Sequence, residues 1–399
     1  MNTDCLKLVR RVILGAIVFW GYVIIMNVCA LADSFINVQN EGMSTDEKVD
    51  NNKSLQKIID QHRNGQTTIY IPRGVYCFNS GAIVLHSNLH FKFENGAEFV
   101  IYDNQLLSFS YPSPANGYDG GINNISWTNA TFRGSDINGQ SSFVQSMNHA
   151  QNISFDKCVF YNSENPEGHV LDIGGSRNIS VKRSSFIGFN FISKSDYKEA
   201  IQIDYSNKKA MSYILRDDKY DDLPSYNIYI NDNQFLPIMK KNKIKYYAPN
   251  PIGEHIIYNN AKAGIVHDVH FDNNEVVNSI PRRQMQTGIV NFEGASNIFI
   301  FNNNFSNTVA AGPASYIRVH NPLKTYKMSG IYIAGNTFSN INPTRQYIII
   351  QSIRQNNPFR QSYVNNNEVI SDWRNSVFIN GGNRGTIQKN NKILDVITR

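Results

Sequence analysis

Asn152-Ile153-Ser154-Phe155-Asp156-Lys157-Cys158-Val159-Phe160 returns along the chain as Asn178-Ile179-Ser180-Val181 through Phe186, as Asn227-Ile228-Tyr229-Ile230 through Phe235, and as Asn297-Ile298-Phe299-Ile300 through Phe305. Each copy has an apolar residue at the first, third and eighth places after its Asn, and a small or amide residue at the sixth. Weaker copies run from Ile125 to Phe132, Val269 to Val276, Ile331 to Phe338 and Ser362 to Val369, and a degenerate one closes the series at Thr386 to Ile393. The alternation has period two, so each copy reads as a short strand with alternate side chains buried.

The sixth place reads Ala130, Cys158, Ser184, Asn233, Asn274, Asn303, Asn336, Asn367 and Asn391. Identical coils stacked at the ~4.8 Å strand spacing would set Asn above Asn, each amide bonding the next and serving buried turn backbone. Most steps along this ladder fit one coil of three short strands. Ser184 to Asn233 and Asn233 to Asn274, at 49 and 41 residues, do not. Insertions are therefore expected between Asp204 and Tyr226 and between Leu236 and Gly264, and long loops on a compact solenoid usually serve function. The fold class expected is all-β, a single-stranded right-handed parallel β-helix.

Working outward, Asp50 or Asn51 is placed to cap a helix carrying Leu55, Ile58 and Ile59 on one face, which would close the first coil. Thr68-Ile69-Tyr70-Ile71-Pro72-Arg73-Gly74-Val75-Tyr76 and Leu89-His90-Phe91-Lys92-Phe93-Glu94-Asn95-Gly96-Ala97 then read as strands with Pro-Gly and Gly turns. At the N-terminus, Lys7, Arg10 and Arg11 precede an apolar stretch from Val12 to Val28 and the small-x-small site Ala30-Leu31-Ala32. Residues 1–32 are expected to be a signal peptide or, uncleaved, a membrane anchor, and residues 33–399 a single β-helix domain. The body would lie outside the cytoplasm, secreted or anchored, with the leader its only link to a membrane.

The 399 residues are 41% hydrophobic and 18% charged, enough for a large core. A net charge of +6, partly in the leader, does not point to nucleic acid, although Lys240, Lys241, Lys243 and Lys245 form a local basic run. Cys5 and Cys29 belong to the leader, and the remaining Cys77 and Cys158 make no disulfide framework. Cys158 sits on the ladder and should pack there. The Asn-Ile-Ser triplets match a glycosylation pattern but are strand starts, and carry no assigned glycans.

The order of helix, "IPRGVY" and "ENGAEF", followed by the repeats, resembles the pectin-lyase-like superfamily, which includes pectate lyases, family 28 glycoside hydrolases and phage tail-spike depolymerases. The resemblance spans roughly residues 45 to 395 and implies the fold more than any one activity.

A second strand precedes each Asn-Ile start. Aligning these strands on Leu171, Ile203, Val290, Val319 and Ile350 as inward residues puts Asp172, Asp204, Asn291, His320 and Gln351 on one exposed column. Asp172, Glu199 and Asp204 lie just before the first insertion, and paired carboxylates are what glycoside hydrolysis uses, one protonated and one ionised. "EAIQID" (Glu199 to Asp204) followed by "IGEH" (Ile252 to His255) looks like a group of Gram-positive β-helix proteins of glycosidase-like or lyase-like type. That likeness implies that Asp204 and His255 face the groove. The expected catalytic set is thus Asp204, Asp172, Glu199 and His255, opening into one cleft between the insertions. Gln202, His169, Asn291, Arg318 and His320 would contact a polysaccharide substrate. Tyr205, Tyr213, Tyr220, Tyr226, Tyr246 and Tyr247 crowd the insertions and offer faces for stacking on sugars.

The leading expectation is a glycoside hydrolase without a cofactor. The sequence lacks the Gly-His-Gly and Arg-x-Lys signatures of typical polygalacturonases, which argues against pectin hydrolysis. A uronate lyase or epimerase is the alternative, with Ca²⁺ held by Asp172, Asp204 and Glu199 and with Arg318 nearby. A non-catalytic polysaccharide-binding protein is the other. No zinc-spaced, phosphate-loop or dinucleotide motif is present.

Overall fold

The computed structural model describes residues 33–101, 106–135, 142–163, 169–188, 199–279, 288–307, 315–339, 347–353, 357–370, 379–380 and 383–394. The leader falls outside them. Among the described residues no helix is long and apolar enough to cross a membrane.

Three parallel sheets run the length of a right-handed β-helix, with 12 strands in sheet A, 11 in sheet B and 10 in sheet C among the described residues. A typical coil supplies a six-residue strand to A, a three-residue strand to B and a strand to C, as in Gln151–Asp156, Val159–Tyr161 and Leu171–Gly174. The quoted repeat is the A–turn–B corner of the coil. Its register is copied from rung to rung: Ile153 pairs with Ile179, Ile179 with Ile228, and Phe160 with Phe186.

The ladder forms as its spacing requires. Asn233 Nδ2 donates to Asn274 Oδ1 at 3.1 Å, Asn274 to Asn303 at 3.0 Å, Asn303 to Asn336 at 2.9 Å, Asn336 to Asn367 at 2.9 Å and Asn367 to Asn391 at 3.0 Å. Each of these amides also reaches a strand carbonyl, Asn303 Nδ2 bonding Phe271 O at 2.8 Å. Ser184 and Cys158 continue the series with shorter side chains, Cys158 N donating to Ser184 Oγ at 3.0 Å. Cys77 and Cys158 are both buried and unbridged, and burial pushes the Cys158 thiol up to about 12. The eighth place stacks Phe132, Phe160, Phe186 and Phe235 with centroids 4.8–5.3 Å apart.

The Asn that opens each repeat has its own reason. Asn124, Asn152, Asn178, Asn227 and Asn297 all have φ between 52° and 59°, the left-handed region that Asn tolerates. Their side chains form a second, outer ladder, Asn178 to Asn152 and Asn227 to Asn178 each at 3.1 Å.

At the N-terminal end the helix Asn52–Gln61 buries Leu55, Ile58 and Ile59. Its N-cap residue Asn51 spends its side chain on Ser44 rather than on the helix, Ser44 N donating to Asn51 Oδ1 at 2.8 Å. A strand not read from the sequence, Ser34–Asn37, precedes the helix and starts sheet A.

The first insertion, residues 205–225, is a loop with one 3₁₀ turn at Lys208–Ala210. The interval 236–264 is not a single insertion. It holds a basic hairpin, Ile238–Lys240 with Lys243–Tyr246, then the sheet C strand Asn250–Glu254, then a loop.

Candidate functional site

Sheet C carries the candidate site. Its strands Leu171–Gly174, Glu199–Asp204, Asn250–Glu254, Gly288–Glu293 and Ser315–Asn321 are successive rungs. Leu171 pairs with Ile201 and Asp172 with Gln202, so Asp172 and Asp204 are offset by two residues and do not share the expected column. The outward positions form two columns. One runs Asp172, Gln202, Gly253, Asn291, Arg318, and the other holds Glu293, His320 and Gln351. The cause is the repeat itself: Ile201 and Ile203 both point inward, and a slip of two residues preserves every inward and outward assignment.

The carboxylates expected on an exposed face are buried: Asp172, Glu199 and Asp204 are 1%, 1% and 2% exposed. The first insertion folds down over them. Ser212 N–H donates to Asp172 Oδ2, which seals that carboxyl under the loop. Burial raises the Asp172 pKa, partly offset by His169 and Ser212.

An open cleft of ≈ 210 Å³ remains at the foot of the insertion. Predicted residues His169, Gln202, Asp204 and His255 line it, together with Lys209 and Met211 of the first insertion and Tyr258 of the loop after Glu254. The sequence marked the insertions but not which of their residues would turn inward. Nor did the crowded tyrosines become cleft walls. Tyr205 is buried edge-on to Tyr258 at 5.5 Å, Lys208 lies over Tyr220, and Tyr226 stacks on His267 at 5.0 Å.

Asp204 Oδ2 accepts from Gln202 Nε2 at 2.6 Å and Oδ1 from Tyr205 N at 2.8 Å. Burial outweighs these bonds and lifts its carboxyl to about 7. Glu199 behaves in the opposite way. Burial raises its pKa, but the charge and hydrogen bond of His255, with His169 nearby, bring it below the usual value. His255 Nε2 lies 2.8 Å from Glu199 Oε2, and His169 Nδ1 lies 2.6 Å from the Glu199 carbonyl and 4.0 Å from its carboxylate. Burial lowers the His169 pKa, against the pull of Asp172 and Glu199. His255 Nδ1, the other ring nitrogen, lies 3.5 Å from Asn291 Nδ2. Gly253 makes room for this arrangement: an added Cβ would lie 2.6 Å from Glu199 Cγ.

Asn291 and Arg318, expected to contact substrate, are 0% and 8% exposed and bonded to one another. Arg318 Nη1 donates to Asn291 Oδ1 at 3.0 Å and to Glu293 Oε1 at 2.7 Å. Burial opposes ionisation of Glu293, but His320 and Arg318 overcome it and hold its carboxyl at about 2. His320, 3.9 Å from Glu293, remains partly accessible on the second column.

Ca²⁺ does not fit this donor set. Calcium needs ionised oxygens converging on one point. Here the three carboxylates do not converge: Asp172 turns to Ser212 N–H, Asp204 to Tyr205 N–H and Glu199 to His255, and among the described residues no cluster of three acidic, His or Cys side chains is placed to hold a metal ion.

Against known proteins, a family model described as Rhamnogalacturonase A/epimerase, pectate lyase-like, matches residues 35–211. Plasmin and fibronectin-binding protein A of Streptococcus pneumoniae is 24% identical over 322 residues, covering 71% of this chain. The chain spans 41% of that relative's length. Among solved structures, PfbA, a surface adhesin of Streptococcus pneumoniae, superposes with a TM-score of 0.60 at 19% identity, over 91% of this chain and 92% of its own. ORF18 of Geobacillus virus E2 gives 0.53 at 11% identity, over 90% and 60%. Together with the three sheets and the stacked register, these matches establish that the chain has the right-handed parallel β-helix fold of pectate lyase-like proteins.

Proposed function

We propose that the chain is an extracytoplasmic glycoside hydrolase acting on a polysaccharide, with Asp204 as general acid and His255, backed by Glu199, as general base. The supporting observation is that two proton-transfer groups with opposite tendencies line one cleft: a carboxyl that still holds its proton near neutrality, and an imidazole whose far nitrogen is bound to an ionised carboxylate. Asp204 would give its proton to the glycosidic oxygen as the bond to the anomeric carbon breaks. The attacking water would replace the long Asn291 contact at His255 Nδ1 and give its proton there, and Glu199 would stabilise the imidazolium so formed. Asp172, beneath Ser212, takes no part in proton transfer on this reading.

The proposed location rests on the leader and on the surface adhesins among similar proteins. A second reading, a surface protein that binds without cleaving, is favoured by the relative named for binding plasmin and fibronectin. A panel of neutral and uronic polysaccharides decides between them. New reducing ends without ultraviolet absorbance mean hydrolysis, and an absorbing unsaturated product means a lyase. Binding of plasmin, fibronectin or a glycan with no turnover means the second reading.

A further inference from the structure

Glu254 is a carboxylic acid on the inward face of sheet C. It alternates with Ile252, pairs with Phe292 and is 0% exposed. Burial first, then the nearby Asp204 and Glu293, raise its pKa well above the usual range. An acid in an apolar core is costly unless it satisfies something there. What it satisfies is the end of a strand. The strand Asn250–Glu254 stops one residue before His255, while its neighbour Gly288–Glu293 runs one rung further.

The rung left open is completed by side chains. Glu293 N–H donates to Glu254 Oε2 at 2.7 Å, and the Glu254 carbonyl accepts from Asn291 Nδ2 at 3.3 Å. The neighbouring backbone is thereby satisfied, and the chain is released from the ladder at His255. The imidazole can then turn back one coil to Glu199.

We propose that Glu254 is a positioning residue for His255: its side chain replaces the missing rung of sheet C and holds the chain where it leaves the sheet, so that the His255 ring meets Glu199. The proposal rests on the reading of His255 as the base, but its geometry is separate from turnover. Asn291 belongs to the same device. Arg318 takes its oxygen, which turns its amide nitrogen toward the Glu254 carbonyl and His255 Nδ1.

The test is ¹⁵N–¹H spectroscopy of the imidazole in the full chain, with the His255 signals assigned by a His255→Asn control. Glu254→Gln keeps an acceptor for Glu293 N–H and is expected to retain the wild-type His255 pattern, with Nε2 protonated and hydrogen-bonded. Glu254→Leu removes the acceptor and is expected to lose the hydrogen-bonded Nε2–H signal. Should Glu254→Leu not fold, Glu254→Asp, whose carboxyl is withdrawn by one methylene, carries the same expectation. A folded Leu or Asp variant with wild-type His255 signals and only a lowered Tm would overturn the proposal, as would a Gln variant that loses them. Loss of the Nε2–H signal in Glu254→Leu, where the wild-type chain itself cleaves none of the polysaccharides, would uphold the positioning role and reject the hydrolase reading.

Discussion

Asp204 combines two properties that a sequence cannot display together: it is buried, and it faces the cleft. Its carboxyl titrates near 7 when folded and near its ordinary 3.8 when unfolded. Between those values the folded chain keeps a proton that the unfolded chain has lost, so stability falls as pH rises through the window from about 4 to 7. The change should amount to a few kcal/mol. Asp204→Asn removes this contribution, so urea unfolding should show the variant gaining on wild type from pH 4 to pH 7. Part of the slope will persist, because burial also raises Asp172 and Glu254. Turnover should fall about 10²-fold or more with loss of the acid. A variant that keeps both the wild-type slope and its activity would show that Asp204 is only a turn ligand of Tyr205. Gly253 gives a second residue-scale test. In Gly253→Ala the new methyl displaces Glu199 and parts it from His255, so kcat should drop about 10²-fold, as a misplacement of ~1 Å can cause. The expected change in stability is about 1–3 kcal/mol.

Along a strand, the sequence speaks through period and spacing, and this decided what could be read. The A–turn–B corner carries an Asn at a fixed place, so Asn233 to Asn391 could be stacked from the sequence alone. Sheet C has no such marker. Leu171 could be matched with Ile201 or Ile203 and Val290 with Ile317 or Val319, each choice leaving the apolar face intact. Only the packed chain selects Ile201 and Ile317. Glu254 was hidden for the opposite reason, since a charged residue beside a His reads as surface and nothing in "IGEH" shows that a strand ends there. The ladder also makes a graded prediction. Asn303 is 1% exposed and bonds Asn274, Asn336 and Phe271, so Asn303→Leu should cost about 1–3 kcal/mol in denaturant unfolding through unpaired buried backbone. Asn391→Leu, in a partly exposed coil at the end of the ladder, should cost clearly less. Equal losses at both sites would mean that the ladder is not what secures the corner.

At the scale of the whole solenoid, the first insertion matters most because it runs back over earlier coils. Ser212 reaches Asp172, Ser146 Oγ donates to Tyr213 O at 2.9 Å, and Asn148 Nδ2 donates to Lys219 O at 2.8 Å. Further back, Ser113 N and Gly117 N donate to Asp218 and Asp221 at 2.8 and 2.7 Å, and His149, buried between Ser113 and Asp221, ties both segments together. The face of sheet C on the N-terminal side of Asp204 is therefore walled off. A polymer entering the cleft would meet Lys209, Met211 and Ser212 as a stop, and its chain end would lie against them. If the hydrolase reading holds, products should be short and uniform from the earliest time points, while polymer viscosity falls slowly. The ends of the wall are already joined, Asn207 Nδ2 donating to Asp222 Oδ1 at 2.6 Å, so residues 208–221 can be replaced by a short Gly-Ser link. That chain should release a spread of oligomers and thin the polymer faster per bond cut. Random internal cleavage by the intact protein would instead show that the insertion lifts to admit a strand across its full length.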